Sequence, residues 1–253
     1  MKKWKRGRLR KEEQDKRFRI LAGFIFNFRY ATLAQIHTFA QLIMNLSSSR
    51  NLVRNSVNYG YLDSYFDAKV KTQIYYLTEK GKDLIFHDEP LVEHYLFKKT
   101  FAGPNTFVHH NMVVQTYFLL KSHLNVKEWI SEEVGRMRKK RREKVPDAVI
   151  LLQDGSRIAL EAESWNKRLT VLKNLVAGYR YDIEKISKYN ACLVVASCDR
   201  HCEGLKRKFL KISPDFFNKR IILTDIDMLE HGVGYYQGES RHLEDALELI
   251  KKG

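Results

Sequence analysis

The sequence predicts an α+β protein in which a helical N-terminal domain with a β-hairpin precedes an α/β domain built around a mixed central sheet. Near the N-terminus, apolar residues recur at the spacing of a helix with one buried face, at Ile20, Leu21, Phe24, Ile25 and Phe28. In the second half, helical segments alternate with apolar runs at 191–196 and 221–224 that are typical of buried strands. This alternation favours a sheet covered by helices, to which a hairpin over 145–163 adds antiparallel pairing.

The composition favours a polyanionic partner. The 253 residues carry a formal net charge of +15 at neutral pH, and the sequence pI is about 9.6. A positive surplus of this size attracts phosphate-rich polymers, so nucleic acid is the expected partner. Hydrophobic residues make up 44% of the chain, which is enough for ordinary cores and argues against a disordered basic tail.

Neither membrane insertion nor disulfide bonding is expected. No apolar run approaches the roughly 20 residues that a membrane-spanning helix needs, and no apolar segment follows the N-terminal basic residues as in a signal peptide. We therefore expect a cytoplasmic protein. The three cysteines, Cys192, Cys198 and Cys202, match no zinc-binding spacing, and their odd number argues against a disulfide framework.

Four segments are expected along the chain. Residues 1–15 form a basic N-terminal arm, 16–86 a first domain, 87–106 a helical linker and 107–253 a second domain. The boundary falls near Gly103-Pro104-Asn105-Thr106, which breaks the helical pattern. The arm either lies in solvent or binds phosphate groups.

The first domain has the pattern of a winged helix-turn-helix. Residues Thr32–Phe39 supply a short second helix, and the hydroxyls of Ser47–Ser49 can cap a third helix that ends near Asn58. A hairpin follows, and its tip is the candidate wing. The residues of the third helix expected to face the core are Leu52, Val53 and Val57.

The third helix and the wing carry the residues predicted to contact DNA. Arginine and asparagine repeat every fourth residue on one helix face, a composition suited to phosphate and base contacts. The predicted contact residues are Ser49, Arg50, Asn51, Arg54, Asn55 and Asn58 on the helix, with Lys69 and Lys71 near the wing tip. The segment 76–84 resembles the one that closes many bacterial winged-helix domains, with Thr78 as a helix cap and Gly81 allowing close packing. Winged helices also serve as protein-interaction modules, which is the alternative interpretation.

The predicted hairpin of the second domain brings three carboxylates together. Alternation along a strand places Glu161 and Glu163 on one face, and the partner strand places Asp147 nearby. Adjacent carboxylates repel unless protons or a cation neutralise them, and oxygen ligands of this kind select Mg²⁺ or Mn²⁺. Such a site suits phosphodiester chemistry. The alternative is a structural Pro-Asp turn with two solvated glutamates on an edge strand.

Two further features surround this hairpin. A basic run over 136–142 precedes it, where a nucleic-acid backbone would lie, and its predicted phosphate contacts are Arg138, Lys139, Lys140, Arg141 and Arg142. The pair His109-His110 opens a helix, where capping or packing is the more frequent role of histidine.

The order of elements in the second domain resembles the restriction-endonuclease-like core of the PD-(D/E)xK superfamily. Pro146-Asp147 matches the first motif element, and Glu161 matches the acid of the second. Where that superfamily has a lysine two residues after the acid, this chain has Glu163. The resemblance implies a lysine that orients or activates water, and Lys167 and Lys173 are the candidates for a displaced one.

Both domains together resemble the replication-relaxation family of mobile elements, which includes the MobC-type relaxases of mobilisable plasmids. The shared order is a winged helix, a helix opened by histidine, Pro-Asp-Ala, Glu-x-Glu, and a helix followed by Lys185–Tyr189. The resemblance implies that the first domain binds double-stranded DNA near an origin. It also implies that the second nicks one strand, with Mg²⁺ or Mn²⁺ bound by Asp147 and Glu161, with or without Glu163.

Two hypotheses follow from these patterns. The first is a metal-dependent nickase acting at a transfer or replication origin, alone or as a homodimer, with other mobilisation or replication proteins as partners. The second is a catalytically inactive replication or transcription regulator on a degenerate nuclease fold, which the glutamate in place of the motif lysine favours. A covalent phosphotyrosyl mechanism is not expected, since no strong tyrosine-nucleophile motif is present.

Overall fold

The computed structural model describes residues 2–47, 49–85, 104–138, 145–165 and 167–252. The chain divides into two compact units, Met1–Phe107 and Val108–Gly253. The model is mixed α/β and contains a mixed seven-stranded sheet, as the sequence predicts. Among the helices of these ranges, none is long and apolar enough to cross a bilayer. Most of the expected linker, residues 87–103, lies outside the described residues.

The N-terminal unit packs helices around a three-stranded antiparallel sheet of order β1-β3-β2. Its elements are α1 (Lys2–Phe28), β1 (Ala31–Thr32), α2 (Leu33–Met44), α3 (Arg50–Asn58), β2 (Leu62–Asp67), β3 (Thr72–Leu77) and α4 (Glu79–Asp83). The N-terminal basic segment therefore belongs to a long helix. The apolar face of α1 is buried as its spacing predicts, with Ile25 fully enclosed.

Local sequence signals set the ends of α2. Thr32 and Gln35 form a capping box, with the Thr32 hydroxyl accepting from the Gln35 amide at 3.2 Å and the Gln35 side chain accepting from the Thr32 amide at 2.9 Å. The helix ends at Asn45, whose φ of +51° is the left-handed conformation that asparagine tolerates.

Two predictions for α3 were wrong in detail. Ser49 stands at the N-cap position, but its hydroxyl makes no capping hydrogen bond. Val57 is 37% exposed, and Ser56 takes the buried position of that turn, where its hydroxyl bonds to the Leu52 carbonyl at 2.8 Å. A small side chain that satisfies its own polar group can replace an apolar one at a crowded helix–sheet contact.

The close packing expected at Gly81 is confirmed. A Cβ atom at this position would overlap the backbone carbonyl of Tyr61. Thr78 caps α4 as predicted, accepting from the Gly81 amide at 3.0 Å and donating to the Gly60 carbonyl at 2.6 Å. These contacts fasten α4 to the start of the β2–β3 hairpin.

The C-terminal unit is built on a sheet of order β10-β9-β8-β7-β6-β5-β4. Its strands are β4 (Val126–Ser131), β5 (Ala148–Leu152), β6 (Arg157–Glu163), β7 (Ala191–Ala196), β8 (Ile221–Asp225), β9 (Val233–Tyr236) and β10 (Glu239–His242). Its helices are α5 (Pro104–His123), α6 (Glu132–Arg138), α7 (Leu169–Arg180), α8 (Asp199–Ile212), α9 (Pro214–Arg220), α10 (Ile226–Glu230) and α11 (Leu243–Lys252), and a π-helical turn (Tyr181–Lys185) extends α7.

Strand β6 is central and changes the sense of pairing within the sheet. It runs antiparallel to β5 and parallel to β7, and β7 is in turn parallel to β8. Its residues from Ile158 to Glu163 are all buried, so the alternative of solvated glutamates on an edge strand is wrong. Helices α7 and α8 cover one face through a core that includes Leu172, Leu205 and Phe209.

The start of α5 differs from the sequence expectation, and the last helix, α11, packs on the sheet. Pro104 begins α5 instead of breaking the chain, since the fixed φ of proline and its missing amide proton suit the first turn of a helix. Val108 is 50% exposed and lies off the buried stripe of α5. The C-terminal stripe Leu243, Leu247 and Ile250 is buried within this same chain, where α11 packs on β9 and β10.

Candidate functional site

The hairpin geometry places Asp147 against β6. Asp147 directly precedes β5, and its amide donates to the Leu160 carbonyl at 3.0 Å. Its carboxylate Oδ2 accepts from the Ala162 amide at 2.8 Å. Backbone pairing and a side-chain hydrogen bond together fix this carboxylate between the positions of Glu161 and Glu163.

Glu161 and Glu163 lie on one face of β6, as strand alternation requires. Their exposed fractions are only 4% and 1%. The hydroxyl of Tyr179, which α7 holds above this face, donates to Glu161 Oε1. Burial and the nearby negative charge of Glu161 raise the pKa of Tyr179 well above its ordinary value, so the phenol remains a proton donor.

Lys167 supplies the cation of this cluster. Its Nζ lies 2.6 Å from Glu163 Oε1, and its backbone carbonyl accepts from Lys208 Nζ of α8 at 2.8 Å. Burial opposes the charged ammonium, but the hydrogen bond and charge of Glu163, with smaller effects of Glu161 and Asp147, raise the pKa of Lys167 above its ordinary value. The other candidate, Lys173, is exposed on α7.

His109 is a member of the site that the sequence interpretation assigned to capping or packing. Its Nε2 lies 3.4 Å from Asp147 Oδ1. The hydrogen bond to Asp147 raises the pKa of this imidazole against the opposing effect of burial. The only sequence signal for this role was the histidine that opens the corresponding helix in the family pattern.

Two carboxylates of the cluster carry the kind of donor atom that a hard divalent cation prefers. Across the described part of the chain, no three His, Cys, Asp or Glu side chains are arranged to hold a metal ion. Asp147 and Glu161 nevertheless offer carboxylate oxygens from adjacent strands, which Mg²⁺ and Mn²⁺ prefer. The ammonium of Lys167 already balances the charge of Glu163, so we take Asp147 and Glu161 as the candidates for holding a metal.

The three cysteines form no comparable cluster. Cys192 and Cys202 are buried, Cys198 is exposed, and all three are free thiols. Burial raises the pKa of Cys202 to about 12. A thiol of that kind is unreactive at neutral pH.

The candidate DNA-contacting residues lie mainly on exposed surface of the N-terminal unit. Arg50, Asn51, Arg54 and Asn58 are exposed on α3, Asn55 is half-buried, and Lys69 and Lys71 are exposed in the turn between β2 and β3. Ser49 is buried. In the other unit, Arg138 is the last residue of α6, and Lys139, Lys140, Arg141 and Arg142 lie outside the described residues.

Comparison with known proteins identifies the family. No curated protein and no solved structure matches the chain. The family model described as replication-relaxation matches residues 23–192, which include α3, the hairpin of β5 and β6, and the Asp147–Glu161–Glu163 cluster. Because this match covers more than half of the sequence, the chain belongs to the replication-relaxation family.

Proposed function

We propose that this protein binds double-stranded DNA at a transfer or replication origin and nicks one strand by metal-dependent phosphodiester hydrolysis. The observation that carries the proposal is the grouping of Asp147, Glu161 and Lys167 around the ends of strands β5 and β6. Two carboxylates that can hold a divalent cation, with an ammonium nearby, suit metal-dependent hydrolysis of a phosphodiester. Family membership supports a role in replication or mobilisation.

The order of elements supports a nuclease-like fold for the C-terminal unit. An antiparallel hairpin carries the acids, a helix crosses over, and a parallel strand follows in β7. This order resembles that of the restriction-endonuclease-like core. The resemblance fails at Glu163, which stands where the motif has a lysine. Glu163 forms an ion pair with Lys167, so an ammonium lies beside that position.

The N-terminal unit would supply the DNA binding. Its element order, α1-β1-α2-α3 followed by the β2–β3 hairpin, supports a winged helix. Arg50, Arg54 and Asn58 occupy one exposed side of α3, where they suit phosphate and base-edge contacts. The Arg54 guanidinium already donates a hydrogen bond of 3.0 Å to the side-chain amide oxygen Oδ1 of Asn51, which orients it. Lys69 and Lys71 would bind phosphates as the wing.

Each residue of the cluster has a distinct role in this mechanism. A Mg²⁺ or Mn²⁺ ion held by Asp147 and Glu161 would act as a Lewis acid and lower the pKa of water. His109 holds Asp147, Tyr179 holds Glu161, and the ammonium of Lys167 would face the charge that develops on the phosphate. The oxygen of a water molecule would bond to phosphorus and release a proton to solvent while one P–O ester bond breaks, and the leaving sugar oxygen would take up a proton from solvent.

The test is nicking of a supercoiled plasmid that carries the origin of the element encoding this protein. Wild type would be compared with Asp147→Ala, Glu161→Ala and Lys167→Met in Mg²⁺, Mn²⁺ or EDTA, with Lys173→Ala as the matched control. We expect metal-dependent relaxation by wild type and Lys173→Ala and its loss in the other three. Each group acting in the transition state contributes about 10²–10³ in rate.

The same experiment separates the proposal from its alternative. If no protein cuts in any metal while all bind the origin, the nuclease hypothesis is overturned. The chain would then be a DNA-binding regulator on a degenerate nuclease fold, an interpretation that the substitution of Glu163 for the motif lysine favours.

A further inference from the structure

A tryptophan is exposed next to the candidate site. Trp165 follows β6 in the loop that carries Lys167, and 45% of its surface is accessible. Trp129 of the same unit is buried at 7%, which is the ordinary state of this residue type. A large aromatic ring left in solvent two residues from a buried acid suggests a surface that a ligand covers.

The loop that carries Trp165 is held in place by α8. Lys208 Nζ binds the backbone carbonyl of Lys167 at 2.8 Å. This anchor lies two residues after Trp165, so α8 holds the loop close to the indole.

The exposed face of α8 adds positive charge beside this loop. Arg200, Arg207 and Lys211 are exposed, and their spacing places them on one side of the helix, about a quarter turn around α8 from Lys208. Gly204 lies on the same face, and a Cβ atom there would meet nothing within 4 Å. A flat ring with a row of cations alongside is the combination that binds single-stranded nucleic acid, by stacking on bases and pairing with phosphates.

We propose that Trp165 stacks on an unpaired DNA base next to the phosphate to be cut, while Arg200, Arg207 and Lys211 bind phosphates of the same strand. This inference rests on the proposed nuclease function. It adds that the C-terminal unit recognises DNA whose bases are unpaired, since the faces of paired bases are covered by their neighbours in the duplex. Specificity for melted DNA would then reside at Trp165 and duplex recognition in the N-terminal unit.

The first test uses tryptophan fluorescence in EDTA, so that it requires no cleavage. The background is Trp4→Phe, which leaves Trp129 and Trp165 of the three tryptophans in the sequence. We expect oligothymidylate of about 15 nucleotides to quench the emission, and an abasic strand of equal length to leave it nearly unchanged. Adding Trp165→Phe should abolish the quenching while the far-UV circular dichroism stays unchanged.

The second test measures affinity. Trp165→Ala should weaken oligothymidylate binding about tenfold, and Trp165→Phe should restore most of it, because one stacked base is lost and regained. The triple change Arg200→Ala, Arg207→Ala and Lys211→Ala should reduce the slope of log affinity against log salt by about 2, and Lys252→Ala on α11 should leave it unchanged.

Absence of quenching, or equal affinity of Trp165→Ala and wild type, would overturn the inference. Its failure is distinguishable from failure of the proposed function. Quenching without nicking would support stacking and refute the nuclease, whereas nicking without quenching would refute stacking alone.

Discussion

Replacing Lys167 with methionine should destabilise the C-terminal unit in addition to any effect on cutting. The side chain of Glu163 is only 1% exposed, and the Lys167 ammonium lies 2.6 Å from its Oε1. Methionine keeps the length of the side chain but leaves a buried carboxylate without this ammonium. Removal of one partner from a buried ion pair costs about 3–5 kcal/mol. The Lys167 side chain is 32% exposed, so water offsets part of the loss and we expect about 2 kcal/mol.

Substitution of the other partner of the ion pair should cost less. Glu163→Gln removes the negative charge and leaves Lys167 able to reach water through its exposed third. We expect this variant to lose under about 1 kcal/mol. The double variant should be more stable than Lys167→Met alone, because the carboxylate that needed the cation is absent. Its loss of stability should be about 1 kcal/mol smaller than the sum of the two single losses.

Urea unfolding of the four proteins measures these differences. Trp129 and Trp165 both report on the C-terminal unit when Trp4→Phe removes the other signal. A Lys167→Met variant within about 0.5 kcal/mol of the parent would refute the ion pair as a structural element. Lys173→Ala, on the exposed side of α7, controls for the loss of a lysine and should unfold with the parent.

Two other predictions concern stability elsewhere in the chain. Gly81→Ala should lower the free energy of unfolding of the N-terminal unit by about 1–3 kcal/mol because its methyl group overlaps the Tyr61 carbonyl. Gly23→Ala, in open space within α1, should raise it by about 0.5–1 kcal/mol, and equal urea midpoints would contradict both. The hydrogen bond from Lys251 lowers the pKa of Asp154 from 3.8 to about 2, so this pair stabilises the fold above pH 3.8 and the effect disappears as pH falls towards 2. Lys251→Met should therefore cost under about 1 kcal/mol at neutral pH and nothing near pH 2. Thermal unfolding at the two pH values measures this, and an equal loss at both would contradict the stabilising role of the pair.

Much of the C-terminal fold could be predicted from local pattern. Strand β7 begins and ends where its apolar run does, because a strand buried on both faces tolerates no polar residue. The approach of Asp147 to β6 follows from a short hairpin and strand alternation. In the N-terminal unit, the roles of Thr78 and Gly81 were also predictable, because helix capping and close packing each depend on one residue type.

The remaining features depend on residues distant in sequence. The carbonyl of Lys167 is held by Lys208, so no local pattern could favour Lys167 over Lys173 as the lysine near Glu163. His109 reaches Asp147 from a helix that precedes the hairpin by a whole strand. Pro104 was predicted to interrupt the chain because proline suits both a loop and a first helical turn, and sequence alone does not distinguish the two.

The double pairing of β6 also sets an order in which the site can assemble. Its antiparallel partner β5 is connected through a short turn, whereas its parallel partner β7 is reached only after α7 has formed and crossed the sheet. Contacts between close segments form faster than contacts across a long loop. Asp147 and Glu161 should therefore meet in an early hairpin, before Tyr179 covers them. During refolding we therefore expect a stage in which water solvates Glu161 before the phenol of Tyr179 binds it.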